Sequence, residues 1–192
     1  MKKWALLTVL VLAGGIMATA QEPQALVVHV PNFHMVVPGV YRGAAPGDSG
    51  VQDLASMGVK TIIDMRGPSG LTASEERTAK SLGLRYHNIP MSGFWSPDPT
   101  KEQQIQSLLA DKSLYPIFLH CRAGKDRTGA AIALFRMRQE CWTYDDAVAE
   151  AYRYGMSRRD VFMRRYLVDQ FQTIRSACQP AVTAEAGHPA GG

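Results

Sequence analysis

His120-Cys121-Arg122-Ala123-Gly124-Lys125-Asp126-Arg127-Thr128-Gly129 is the stretch around which this chain is organised. An apolar, strand-like run, Tyr115 to Leu119, leads into it, and a helix-like run, Ala130 to Arg138, leaves it. The stretch therefore reads as strand, loop and helix N-terminus. Backbone N–H groups at such a turn lack intrahelical partners and point into the loop, and the helix dipole adds partial positive charge there. A dianion such as phosphate is the natural occupant. The spacing from Cys121 to Arg127 lets one loop curl until sulfur and guanidinium face a shared centre. The N–H nest, the dipole and Arg127 all favour a thiolate at Cys121, and a thiolate beneath a bound phosphate is an aligned nucleophile. Arg127 can grip two equatorial oxygens as a fork, and the N–H groups of Arg122, Ala123, Gly124, Lys125, Asp126 and Arg127 complete the phosphate-binding set. The Thr128 hydroxyl is placed to hydrogen-bond the sulfur, and glycine at 124 and 129 permits close backbone approach.

The pattern His-Cys-x5-Arg-Thr-Gly resembles the signature loop of the cysteine-dependent protein tyrosine and dual-specificity phosphatases. Val40-Tyr41-Arg42-Gly43 followed by Ala-Ala-Pro resembles the start of their small atypical branch, bacterial in style here. The resemblance covers roughly Val40 to Phe171. It implies an α/β fold with a central, mostly parallel sheet flanked by helices, His120 orienting the loop, and catalysis without a metal or organic cofactor.

Two carboxyl groups compete for the proton-donor role that hydrolysis requires. Asp98 lies in Trp95-Ser96-Pro97-Asp98-Pro99, which resembles the family's mobile Trp-Pro-Asp loop with one residue inserted; its plainer reading is a turn or N-cap residue beside prolines. Asp126 sits inside the signature stretch, where Lys125-Asp126 resembles bacterial relatives acting on phosphotyrosine and phosphoinositides. Its plainer reading is a brace accepting backbone N–H bonds. The substrate expected from the family is phosphotyrosine protein. A phosphorylated inositol or lipid is the rival, supported by Lys125 and by Arg158, Arg159, Arg164 and Arg165; the alternative of another class is a non-catalytic phospho-ligand binding module, which normally goes with loss of the Cys or Arg that are both present here. That arginine run is first of all a solvated helix face, and it is the one candidate for membrane contact.

With 192 residues the chain suits a single domain, and a net charge of +4 agrees with an anionic substrate without selecting one. No basic tract interleaved with aromatics suggests nucleic acid, and the five histidines are scattered without ligand spacing. Lys2 and Lys3, the apolar run Trp4 to Met17 and the small-x-small Ala18-Thr19-Ala20 read as a signal peptide over 1–20, sending the chain to the periplasm or outside the cell. Residues 21–25 are then a linker, 26–178 the phosphatase domain and 179–192 a disordered tail rich in Pro, Gly and Ala. Of three cysteines, Cys121 must stay free for activity; Cys141 and Cys178 either pair or are small buried apolar residues.

Strands are expected at Leu26–Val30, Phe33–Val37, Val59–Met65, Leu84–Ile89 and Tyr115–Leu119, with Pro38-Gly39 turning the chain into Val40-Tyr41-Arg42-Gly43. Helices are expected from Asp48 or Ser49 to Met57, from Thr72 or Ser74 to Leu82, after a Thr100 cap, after the signature loop, from Thr143 to Tyr154 and from Asp160 to about Cys178. Arg42 is read as a structural tie. Arg66, leaving the best strand, is either a second phosphate contact or a salt-bridge partner. N-terminal sequencing of the exported chain should begin at Gln21; a chain still carrying Trp4 to Met17 would sink the cleavage reading.

Overall fold

The computed structural model describes residues 28–92 and 97–178. The signal-peptide, linker and tail readings fall on 1–27 and 179–192, outside the described residues, as does Trp95. Chain order is β1 (His34–Val37), β2 (Val40–Gly43), α1 (Gly47–Ser56), β3 (Thr61–Asp64), α2 (Gly70–Ser81), β4 (Arg85–Asn88), α3 (Pro99–Ala110), β5 (Ile117–His120), α4 (Asp126–Gln139), α5 (Tyr144–Arg153) and α6 (Val161–Ile174). The five strands form one sheet in the order β1-β2-β5-β3-β4, parallel throughout except for the antiparallel β1–β2 hairpin. The expected α/β architecture is therefore present.

Alternation along the central strands sends side chains to two cores. Ile62 and Phe118 pack with Val51, Leu54 and Ala79, under α1 and α2. Ile63, Ile117 and Leu119 pack with Ile105, Leu109, Ile132 and Phe135, under α3 and α4. A third, all-helical core lies between α4, α5 and α6. The fully buried strands read as continuous apolar runs for this reason: both sheet faces are covered.

Several boundaries differ from expectation. Val28 to Val30, the described part of the expected first strand, carries no strand; Val30 is apolar because it is buried against the backbone glycines of β2 and α1. α2 begins at Gly70, capped by Ser69, whose hydroxyl accepts from Thr72 N at 3.1 Å. α3 is capped by Asp98 and not Thr100: its carboxylate accepts from Thr100 N at 2.9 Å, and Pro99, lacking an N–H, fits the first helical position. α4 starts four residues ahead of Ala130, inside the signature stretch, because Asp126 already has helical backbone. α6 stops at Ile174, and Cys178 lies in the turn beyond it. Cys141 and Cys178 form a disulfide, with Cα atoms 5.5 Å apart, which ties the end of α4 to the chain after α6. The expected Thr143 and Asp160 caps are both formed, onto Asp146 N and Met163 N.

Glu102 on α3 is buried where α4 and α6 meet it. Its Oε2 lies 3.3 Å from Arg138 and 3.5 Å from the Tyr166 hydroxyl, while Oε1 has no partner among the described residues. Burial pushes its carboxyl pKa up, against the pull of Arg138. The folded chain thus binds that proton more tightly than the unfolded chain. This group's contribution is most favourable below its unfolded pKa and is lost as pH rises through the higher folded one. Glu102→Gln should therefore gain stability relative to wild type as pH rises from about 4 to about 8, read as a rising difference in urea midpoints. A difference that is flat or falls with pH would refute this account.

Candidate active site

β5 ends at His120, and the chain turns through Cys121 to Lys125 before α4 begins at Asp126. All residues expected to form the phosphate cradle thus lie on one strand-loop-helix junction, at the carboxyl end of the central strand, where open parallel sheets place their ligands. Cys121 is 3% exposed and is the free thiol among the described residues.

Two of the loop's carbonyl groups are held by donors from outside it. Gly124 O accepts from Arg42 Nη2 at 2.8 Å and from Asn32 Nδ2 at 2.8 Å, and Arg122 O accepts from Ala45 N at 3.3 Å. A trans peptide puts its N–H opposite its C=O, so these bonds turn the Ala123 and Lys125 N–H groups toward the loop centre. Gly124 has φ +66° and packs on the end of β2; an added Cβ would fall on the Gly43–Ala44 peptide, 2.6 Å from Ala44 N.

Arg42 is fully buried, and its guanidinium carbon lies 4.7 Å from the Tyr154 ring centre. Burial lowers its pKa to about 10, offset in part by Glu150, Tyr154 and Cys121. The arginine read as a structural tie is one, and it also places a cation in the electrostatic surroundings of Cys121. Arg127 is anchored by Nη1 donating to Met65 O at 2.9 Å and Met91 O at 3.3 Å, the carbonyls just past β3 and β4. Its fork is fixed by backbone before any anion arrives. Thr128 is fully buried, and its hydroxyl has no partner among the described residues. An unpaired buried hydroxyl is costly, which fits a donor reserved for a group formed during reaction.

Beneath the loop lies a layer of buried charge. His120 is fully buried, its Nδ1 3.2 Å from Cys121 O and its Nε2 2.8 Å from Glu75 Oε1, the latter off hydrogen-bond geometry. Asp64 accepts from Arg66 Nη2 at 2.8 Å and the Tyr86 hydroxyl at 2.6 Å, and Arg66 Nη2 also reaches Glu75 at 2.6 Å. Burial pushes the Asp64 carboxyl up, but Arg66, His120 and Tyr86 outweigh it and the pKa is lowered. Burial likewise opposes the Arg66 charge, and Asp64 and Glu75 overcome it, raising its pKa. Of the two readings of Arg66, the salt-bridge partner holds. Asp64, Glu75 and His120 offer ligand atoms within 4.8 Å of one another, but the Arg66 guanidinium already bridges the two carboxylates as their cation.

The two acid candidates sit differently. Asp126 Oδ1 accepts from Ser157 N at 2.7 Å, bracing the signature loop against the α5–α6 connection. Asp98 caps α3 at the edge of the segment 93–96, which lies outside the described residues. Sequence reasoning missed Asn32, Glu75 and Asp64. Asn32 carried one signal: a non-glycine residue suited to positive φ directly after Pro31, here at φ 54°.

Gly124→Ala should place a methyl group on the Gly43 peptide and an L-residue in left-handed backbone. Expected are a loss of at least ~2 kcal/mol in denaturant unfolding and a fall of about a hundredfold in phosphate-ester turnover from the displaced loop. Unchanged turnover would refute the packing argument.

A family profile described as "DSP-PTPase phosphatase fused to NAD+ Kinase" matches residues 30–166. The chain is 26% identical to Inositol diphosphatase DSP4 of Arabidopsis thaliana over 71% of its own length and 70% of that protein's. It is 25% identical to the dual specificity protein phosphatase TpbA of Pseudomonas aeruginosa, over 67% of this chain but only 57% of the relative. In fold it is similar to the catalytic core of the PP-IP phosphatase SIW14 of S. cerevisiae, with a TM-score of 0.66 at 23% identity, covering 79% of this chain and 96% of that one. The structure of P. aeruginosa TpbA matches with a TM-score of 0.64 at 21% identity, covering 77% and 90%. Loop, sheet order and profile agree: the chain belongs to the DSP-PTPase phosphatase family, within the cysteine-dependent tyrosine and dual-specificity phosphatases.

Proposed function

We propose that this protein hydrolyses phosphomonoesters through a phosphocysteine intermediate and that its substrate is phosphotyrosine protein, with dual specificity. The observation that carries the hydrolase reading is the outward anchoring of the Gly124 and Arg122 carbonyls, which turns the Ala123 and Lys125 N–H groups inward in the loop that holds the buried free thiol. In the first step Cys121 Sγ forms a bond to phosphorus as the bond to the ester oxygen breaks. The leaving oxygen takes a proton from Asp98. Arg127 and the loop N–H groups hold the three equatorial oxygens. In the second step water attacks the phosphocysteine, gives a proton to the same carboxylate and releases phosphate, and Thr128 donates to the departing sulfur. Asp126 acts in this reading as the brace its bond to Ser157 makes it. No metal or organic cofactor takes part. Residues 1–20 direct the chain to the periplasm or beyond, with cleavage after Ala20.

A second substrate reading has its own support. Two of the relatives above are named as inositol diphosphatase and PP-IP phosphatase, and Lys125 stands in the loop where an additional phosphate would meet it. A side-by-side assay of phosphate release from phosphotyrosine peptides, phosphoinositides and inositol polyphosphates separates the two, with Cys121→Ser as the inactive control.

Asp98→Ala should lower turnover of a poor leaving group by about a hundredfold while sparing a good one such as para-nitrophenolate. Asp126→Ala should cost less than about tenfold on either ester. The reverse ranking moves the acid into the signature loop.

A further inference from the structure

α5, the start of α6 and the connection between them enclose a cleft of about 680 Å3, lined by Tyr144, Asp145, Tyr152, Arg153, Arg158 and Arg164 among others. Three arginines line it, and one acid, Asp145. Elsewhere Arg66, Arg136 and Arg138 each meet a carboxylate within 3.3 Å. Among the described residues, no such ion pair joins Arg153, Arg158 or Arg164 to an acid. Two of the three are nevertheless held in place. Arg158 lies over the Tyr152 ring, 4.2 Å from its centre, and Arg164 Nη1 donates to Arg158 O at 3.4 Å. Like charges gathered in a concave wall build a positive potential that surface arginines spread over a convex face do not.

The α5–α6 connection that carries Arg158 also touches the signature loop. Ser157 N donates to Asp126 Oδ1 at 2.7 Å, and the Lys125 stem lies so close to Gly155 that a Cβ there would meet it at 3.2 Å. We propose that the cleft is an anion exosite for a ligand carrying clustered phosphates, with Arg158 and Arg164 as its principal forks and Arg153 beside them. The planar guanidinium is suited to paired phosphate oxygens, the volume is that of a small-molecule site, and the tyrosine rings supply flat walls for a ring-shaped scaffold. The exosite is separate from the catalytic cradle and stands whether or not a phosphate in that cradle is hydrolysed.

Clustered phosphates occur on soluble inositol polyphosphates and on phosphoinositide headgroups, so the test has two arms. In the first, the full chain is titrated with myo-inositol hexakisphosphate in a Cys121→Ser/Arg127→Ala background that disables the cradle. Adding Arg158→Ala/Arg164→Ala should weaken binding by about tenfold or more, the scale of losing charge-assisted forks. The charge-matched pair Lys60→Ala/Arg77→Ala, on exposed positions remote in sequence, should not. In the second arm, the same variants are tested for sedimentation with phosphatidylcholine vesicles with and without phosphatidylinositol bisphosphate. A loss confined to the soluble ligand assigns the site to free polyphosphates; a parallel loss on vesicles assigns it to headgroups. Equal weakening by the charge-matched pair, no binding once the cradle is disabled, or equally tight binding of a phosphate-free polyglutamate would overturn the proposal. Hydrolysis of para-nitrophenyl phosphate by wild type and by Arg158→Ala/Arg164→Ala is measured in parallel. Its absence in both would count against the phosphatase reading alone, because the titration reports on the cleft independently.

Discussion

The direction of one carbonyl group governs the site. A loop that offers its N–H groups to an anion must send its C=O groups elsewhere, and at Gly124 two donors from outside the loop enforce this. Arg42 comes from β2 and Asn32 from the turn before β1, so the hairpin at one side of the sheet sets the polarity of a loop that follows β5. β2 and β5 are hydrogen-bonded neighbours, with Arg42 opposite Leu119 and Gly43 opposite His120. That register is what puts the Gly43 backbone under Gly124. The cradle is thus less a property of the ten-residue stretch than of the strand pair supporting it.

A second layer explains how a cation-rich loop is tolerated above a buried sheet. Asp64 and Glu75 bring two negative charges beneath it, and Arg66, His120 and Tyr86 meet them there. Buried ionic groups contribute little net stability once desolvation is counted, but removing one partner leaves a charge stranded. The layer therefore makes the geometry around His120 strict. α2, which carries Glu75, is coupled to the reaction centre without approaching it.

The strand-loop-helix junction was legible because it is local: its residues are consecutive, so the placement of Cys121, Arg127 and Thr128 on it could be read directly. The sheet was legible because Ile62, Ile63, Phe118 and Leu119 are apolar on both faces. What could not be read was whatever depends on residues distant in sequence. Asn32 lies 92 residues from the carbonyl it holds, and as a sequence feature it is only a polar residue after a proline. Glu75 reads as one of two helix-surface acids, and its neighbour Glu76 is just that, pairing with Lys80. Boundaries moved where two capping residues competed. Thr100 has the sequence pattern of a cap, but Asp98, followed by Pro99, caps the helix two residues earlier by accepting from Thr100 N and Lys101 N. Val28 to Val30 shows that β-branched residues report burial as much as strand.

The Cys141–Cys178 bridge leaves the sulfur chemistry of the reaction centre without an internal partner. The chain holds three cysteines, two are joined to each other, and the third is Cys121. A thiolate nucleophile is also the group most open to peroxide, which converts it to a sulfenic acid. With Cys141 and Cys178 joined, neither offers that species a thiol to condense with, so it is trapped by the neighbouring backbone nitrogen or by a thiol or other reductant from outside, and otherwise proceeds to sulfinate. Recovery from oxidative damage therefore depends on what the surroundings supply.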